Sequence, residues 1–175
     1  MSQIFLRVLF VAVWIVLQSG VALAGDSALS VSIAVAPERA RLAYMNSTSH
    51  FHVLVRNNSP RPQKVWESWN SWGYYALSFE LSPDKGKNWA VAKLKETVFT
   101  RNFPSFQTII PNGGLVIDVY FGNDAIWEGF PLRRGQENNV LLKAVFEVRD
   151  SVESKEYDVW TGRVESDAID VTFVR

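Results

Sequence analysis

Apolar and polar positions alternate with a period of two along most of this chain, the pattern of strands that bury one face. Leu29, Val31, Ile33 and Val35 alternate with Ser30, Ser32 and Ala34 until Pro37 stops the run. Phe51, Val53 and Val55 alternate with His52, Leu54 and Arg56, and Asn57-Asn58-Ser59-Pro60-Arg61-Pro62 breaks that run. Tyr75, Leu77, Phe79 and Leu81 form a third set. Turn residues from Ser82 to Asn88 follow, and Trp89 to Leu94 reads as the hairpin partner. Phe106 to Ile110 is short and ends at Pro111-Asn112-Gly113-Gly114, after which Leu115, Ile117, Val119 and Phe121 alternate again. Val140, Leu142, Ala144, Phe146 and Val148 mark a long strand. Val159 to Ser166 and Ile169 to Phe173 are expected to pair with each other around Asp167. Only Pro37 to Met45 admits one or two helical turns.

These segments amount to about seven to nine strands, separated by turns at the spacing of a sandwich. Each strand has one apolar face, so two sheets must meet to bury them. The expected fold is all-β, an antiparallel immunoglobulin-like β-sandwich. An up-and-down barrel uses the same strands and stands as the alternative.

The N-terminus departs from the pattern. Val8 to Leu17 is an unbroken apolar run, Gln18-Ser19-Gly20 breaks it, and Ala22-Leu23-Ala24 places small residues before a cut at Gly25. That layout is a secretory signal peptide. As a helix the run spans about 15 Å, roughly half of a bilayer's apolar core, so it is too short for an anchor. Residues 1–24 are therefore expected to be a cleaved signal peptide, and residues 25–175 a single sandwich domain. The product is expected in the periplasm or outside the cell, of a bacterium, without stable membrane insertion.

Charge and cysteine content narrow the classes further. The chain has 18 basic and 18 acidic residues, and Arg7 is the only charge before Gly25, so the mature part carries 17 against 18. No basic excess points to nucleic acid. The chain has no cysteine, which excludes disulfides, thiolate metal sites and a cysteine nucleophile. An exported domain of this kind must hold together by its core alone.

Aromatic side chains supply the candidate contact surface. Trp66, Trp69, Trp72, Tyr74 and Tyr75 fall within WESWNSWGYY. Large flat rings with one polar atom suit stacking on sugar faces or anchoring a protein partner. In one regular strand Trp66 and Trp72 share a face and Trp69 takes the other, so all three cannot be core. One or two of them can fill the sandwich centre instead. Trp66, Trp69, Trp72 and Tyr74 are the expected partner-binding residues.

The other motifs read as ordinary surface. His50 and His52 share a strand face, but a zinc site needs a third ligand, and Arg56 on that face disfavours a cation. Asp84, Gly86 and Asn88 faintly echo a calcium loop, but Lys85 and Lys87 interleave and the distal Glu is missing. Arg133-Arg134 could receive an anion. Asn46-Ser47-Thr48 and Asn57-Asn58-Ser59 match the N-glycosylation pattern. No catalytic residue, metal ligand or cofactor is assigned.

The segments VLVRNNSPRPQKVW (Val53 to Trp66), FELSPDKGKNW (Phe79 to Trp89), IIPNGG (Ile109 to Gly114) and VWTGRVES (Val159 to Ser166) resemble immunoglobulin-like domains of exported bacterial proteins. The block Val53 to Phe121 is also similar to the BsuPI-like proteinase-inhibitor domain, in its order of strands and turns. The first resemblance, to proteins of unassigned role, implies a β-sandwich alone, and the second implies an inhibitory role. No inhibitory residue carries over, because no reactive-loop motif matches. The function expected is a non-catalytic exported binding module with a protein or glycan partner. A proteinase inhibitor is the alternative, and a hydrolase with paired carboxylates the remote one.

Overall fold

The computed structural model describes residues 27–35, 41–43, 51–121, 126–133 and 135–174. The expected signal peptide lies outside them, as do His50, Arg134 and the Asn46 pattern. Among the described residues the strands are β1 (Leu29–Ala34), β2 (Arg41–Ala43), β3 (Phe51–Asn57), β4 (Gln63–Trp66), β5 (Leu77–Ser82) and β6 (Ala90–Leu94). They continue with β7 (Phe106–Ile109), β8 (Gly114–Val119), β9 (Trp127–Glu128), β10 (Glu137–Val148), β11 (Gly162–Glu165) and β12 (Ile169–Val174). A short helix, α1 (Val152–Glu156), sits between β10 and β11. The fold is all-β with mainly antiparallel sheets. No helix among the described residues is long and apolar enough to cross a membrane.

One sheet has the order β1-β3-β8, the larger one β2-β12-β10-β5-β6-β9, and β4-β7 form a two-stranded ladder. The alternation decides which faces meet. Leu29 and Val31, Phe51, Val53 and Val55, and Leu77, Phe79 and Leu81 are buried, while Ser30, His52 and Arg56 face water. Phe51 of the small sheet meets Phe79 of the large one edge to face at 5.6 Å. Phe121 touches both rings at 5.3 and 5.0 Å. Full burial of each such side chain contributes about 1.5–3 kcal/mol.

Asn57 closes the first breaker. It is fully buried, donates from Nδ2 to the carbonyls of Arg61 (2.7 Å) and Ile109 (2.9 Å), and accepts from Ser59 N–H at 2.9 Å. A side chain so engaged is closed to glycosylation in the folded protein.

Three expectations need correction. β11 and β12 do not pair with each other; both pair with β10. They form one strand interrupted at 166–168, where three residues face Lys143 and Ala144. This is a β-bulge, and the buried Ser166 fills it, its N–H donating to the Ala144 carbonyl and its Oγ accepting from Ala144 N–H, both at 2.9 Å. Arg41–Ala43, placed in helical turns by sequence, is a strand lying parallel to β12. The segment after Trp66 is not a strand either. It wraps into turns.

Candidate functional site

The turns of residues 67–76 come from one side chain. Asn70 is fully buried, and its Oδ1 accepts from the N–H groups of Trp72 (3.1 Å) and Gly73 (3.0 Å). Its carbonyl accepts from Tyr74 N–H at 2.9 Å. A short amide offering the backbone local partners competes with a sheet ladder, and here it wins. Gly73 is required because a Cβ there would stand 2.3 Å from the Glu67 carbonyl oxygen.

This arrangement separates the rings that the sequence groups together. Trp66 is a core residue, 4% exposed, packed on Trp72 and Tyr157 with ring centroids 5.9 Å apart in each pair. Trp72 is half-buried, and its indole hydrogen-bonds to Glu153 of α1. Tyr74 is half-buried against Phe99 at 5.5 Å, and burial pushes its hydroxyl pKa up. Trp69 is 43% exposed, with its N–H donating to Glu67 Oε2 at 2.6 Å. Hydrogen bonds from the Ser105 hydroxyl and then from Trp69 hold the Glu67 carboxyl below its ordinary range. Tyr75 is 42% exposed, and its hydroxyl accepts from Thr97 N–H at 3.2 Å.

A second segment, Lys95 to Ser105, completes the surface. It forms no strand and is stapled to the turns at several points. Asn70 Nδ2 donates to the Ser105 carbonyl at 2.9 Å, and Glu67 N–H to the same carbonyl at 3.1 Å. Asn102 Oδ1 accepts from Ser71 N–H at 3.0 Å, and its Nδ2 donates to Ser71 Oγ at 2.8 Å. Phe103 packs edge to face on Trp69 at 4.8 Å yet is 58% exposed, and Val98 is 88% exposed. Trp69, Phe103, Tyr75 and Val98 are thus exposed on two segments that hydrogen bonds staple together. Phe103 and Val98 were missed from sequence. The one available signal was that KETVFTRNFPS carries large apolar residues without the period of two.

Beside this surface a groove of about 710 Å³ crosses the outer face of the large sheet. Its floor is β5, and Trp72 and Tyr75 stand at one end. Lys93 and Glu96 line one flank, and Glu147 and Arg163 the other. Arg163 gathers three carboxylates: Glu80 (2.8 Å), Glu165 (2.8 Å) and Glu147 (3.3 Å). Its register partner is Glu147, while Glu80 faces Lys143, so the arginine must cross over Val145 to reach Glu80. Val145 points away from the main core and is nonetheless fully buried, which that crossing explains. The Arg163 hydrogen bond holds the Glu165 carboxyl low, and the Glu165 hydrogen bond raises the guanidinium pKa. The Glu165 carboxyl, held low in this way, is the opposite of what a general acid needs.

The remaining motifs do not join this region. His52 pairs with Asp118 of β8 through Nδ1 at 2.7 Å, on the exposed face of the small sheet. Asp84 closes the β5–β6 turn by accepting from Asn88 N–H (2.9 Å), Asn88 Nδ2 (2.6 Å) and Ser82 Oγ (2.7 Å). These bonds, led by those from Asn88, lower its pKa to about 2. No group of three His, Asp or Glu side chains suited to a metal occurs among the described residues. No protein-family model, curated protein or solved structure matches this chain.

Proposed function

We propose that this protein is a non-catalytic binding module of immunoglobulin-like sandwich fold, exported by removal of residues 1–24. It meets a protein partner through the surface of Trp69, Phe103, Tyr75 and Val98. The observation that carries this reading is the wet apolar area on that surface, held by staples between segments about thirty residues apart. Large apolar side chains fixed in water mark contact sites, and rigid positioning lowers the entropy lost on binding. Loops presented by a sheet frame are the usual carriers of recognition. The convergence of Glu80, Glu147 and Glu165 on one guanidinium supports a non-catalytic role.

The test is affinity capture from the source cell's envelope and medium, comparing wild type with a Trp69→Ser/Phe103→Ser variant of unchanged circular dichroism. A specific partner lost in the variant supports the reading, and identical captured sets reject it. N-terminal sequencing of the exported product should begin at Gly25.

One observation favours proteinase inhibition as a second reading. Residues 97–102 are held at two anchors, Thr97 on Tyr75 and Asn102 on Ser71, with Val98 and Arg101 exposed between them and Phe99 packed on Tyr74. An exposed segment fixed at both ends resembles a substrate held for a proteinase cleft. Titration of a trypsin-like serine proteinase decides it. Inhibition removed by Arg101→Ala supports inhibition, and none at about 10 μM, a Kd worth about 7 kcal/mol, rejects it.

A further inference from the structure

The groove on the large sheet has its own chemistry. Its depth comes from side-chain size. On the middle strand β5 and just before it, only Ala76 and Ser78 face the groove, and both are short. Val91 and Lys93 of β6 stand on one side, Glu147 and Arg163 on the other. A trough therefore runs along β5, with Tyr75 at one end and the Arg163–Glu80 bridge toward the other. A volume of about 710 Å³ lies within the range of ligand sites.

We infer that this trough binds a neutral, hydroxyl-rich chain, an uncharged oligosaccharide. Three observations converge. First, both signs of charge line the groove: Lys93, Arg149 and Arg163 with Glu96 and Glu147. A polyanion would meet the carboxylates and a polycation the guanidinium groups. A hydroxyl both donates and accepts, so an uncharged polyol can use carboxylate acceptors and cationic donors in one groove. Second, the neutral lining is itself hydroxylated, with Ser71, Ser78 and Thr97. Third, the exposed Tyr75 ring is fixed before any ligand arrives. Tyr74 packs on it edge to face at 4.9 Å, and Thr97 N–H holds its hydroxyl. The electron-rich face of a fixed ring attracts the C–H face of a pyranose, and Val91, 51% exposed, adds apolar wall.

This inference rests on the binding-module reading, but Trp69 and Phe103 do not line the trough, so the two can fail separately. The test is isothermal titration of the purified protein with cello-, chito-, malto-, xylo-, manno- and laminari-hexaose, and with a hexagalacturonate as charged control. At least one neutral hexamer should bind with Kd between about 10 μM and 1 mM. Tyr75→Ala should weaken it about tenfold, and Tyr75→Phe, which keeps the ring and loses only the Thr97 contact, should weaken it less. Ser78→Trp, which fills the trough on an outward-facing position, should abolish binding. Trp69→Ser/Phe103→Ser should retain it. A tenfold rise in salt should change Kd less than about twofold, since no net ionic contact is made. No neutral hexamer bound at about 5 mM, a Kd weaker than about 3 kcal/mol, overturns the inference. So does preference for the uronate, or binding unchanged in Ser78→Trp. Loss of sugar binding with partner capture intact removes this inference alone.

Discussion

Replacing Asn70 by alanine removes the side chain that makes residues 67–76 a turn and ties them to Lys95–Ser105. Three short hydrogen bonds go with it, those accepted from Gly73 and Trp72 and the one donated to the Ser105 carbonyl, besides a long one of 3.3 Å to the Ser105 hydroxyl. The Gly73 bond is buried, and an unsatisfied buried donor costs about 1–3 kcal/mol. The other two are part-buried, and losing each costs about 1 kcal/mol. The expected loss is about 3–5 kcal/mol. Urea unfolding followed by tryptophan fluorescence reads it, since three Trp lie in or beside this segment. With a slope of about 2 kcal/mol per molar urea, the midpoint should fall by about 1.5–2.5 M. Asn102→Ala, which breaks exposed staples, should cost less than about 1 kcal/mol. Asn70→Asp should be destabilised at neutral pH, because a carboxylate oxygen then faces the Ser105 carbonyl. It should regain stability below about pH 4, where the protonated acid can donate. A midpoint shift under about 0.5 M for Asn70→Ala would show that packing of Trp66 and Ala76, not the amide, orders the segment.

Three other expectations follow from the same structure. Arg163→Ala should cost about 1–2 kcal/mol by uncovering Val145, while Arg163→Met should recover most of that loss in about 1 M salt, where repulsion among Glu80, Glu147 and Glu165 is screened; equal losses would mean that charge alone matters. Gly73→Ala places a methyl 2.3 Å from a backbone oxygen and should cost more than about 2 kcal/mol by thermal or urea melting. The Asp84 carboxyl should titrate near 2 by NMR, against an ordinary value of 3.8, and Asn88→Ala should move it upward. A depressed folded pKa means its contribution is full above about 3.8 and is lost as pH falls through about 2.

Much of the strand content was legible because a buried face imposes a two-residue period whatever lies opposite it. The runs at Leu29, Phe51, Leu77, Leu115 and Val140 all appear as strands, and the Ser82–Asn88 turn joins β5 to β6 as its residues imply. The count was low because β2, β4 and β9, of three, four and two residues, are too short to show a period. Partners were less legible, since a period tells which face is buried but not which strand lies alongside. Hence β11 and β12 were paired with each other rather than with β10, and the parallel contact of β2 was unforeseen.

At the functional surface the division is sharper. Composition alone identified the aromatic stretch Trp66–Tyr75 as unusual, because three Trp on alternating faces do not fit one buried side. Which ring is core and which is wet depended on Asn70 meeting Ser105, thirty-five residues away. The groove depended on Ala76 and Ser78 being short between taller neighbours from three other strands. Sequence determined the faces, through a repeat each residue carries locally. Tertiary structure decided the neighbours, because burial and hydrogen-bond satisfaction are settled between segments that only folding brings together.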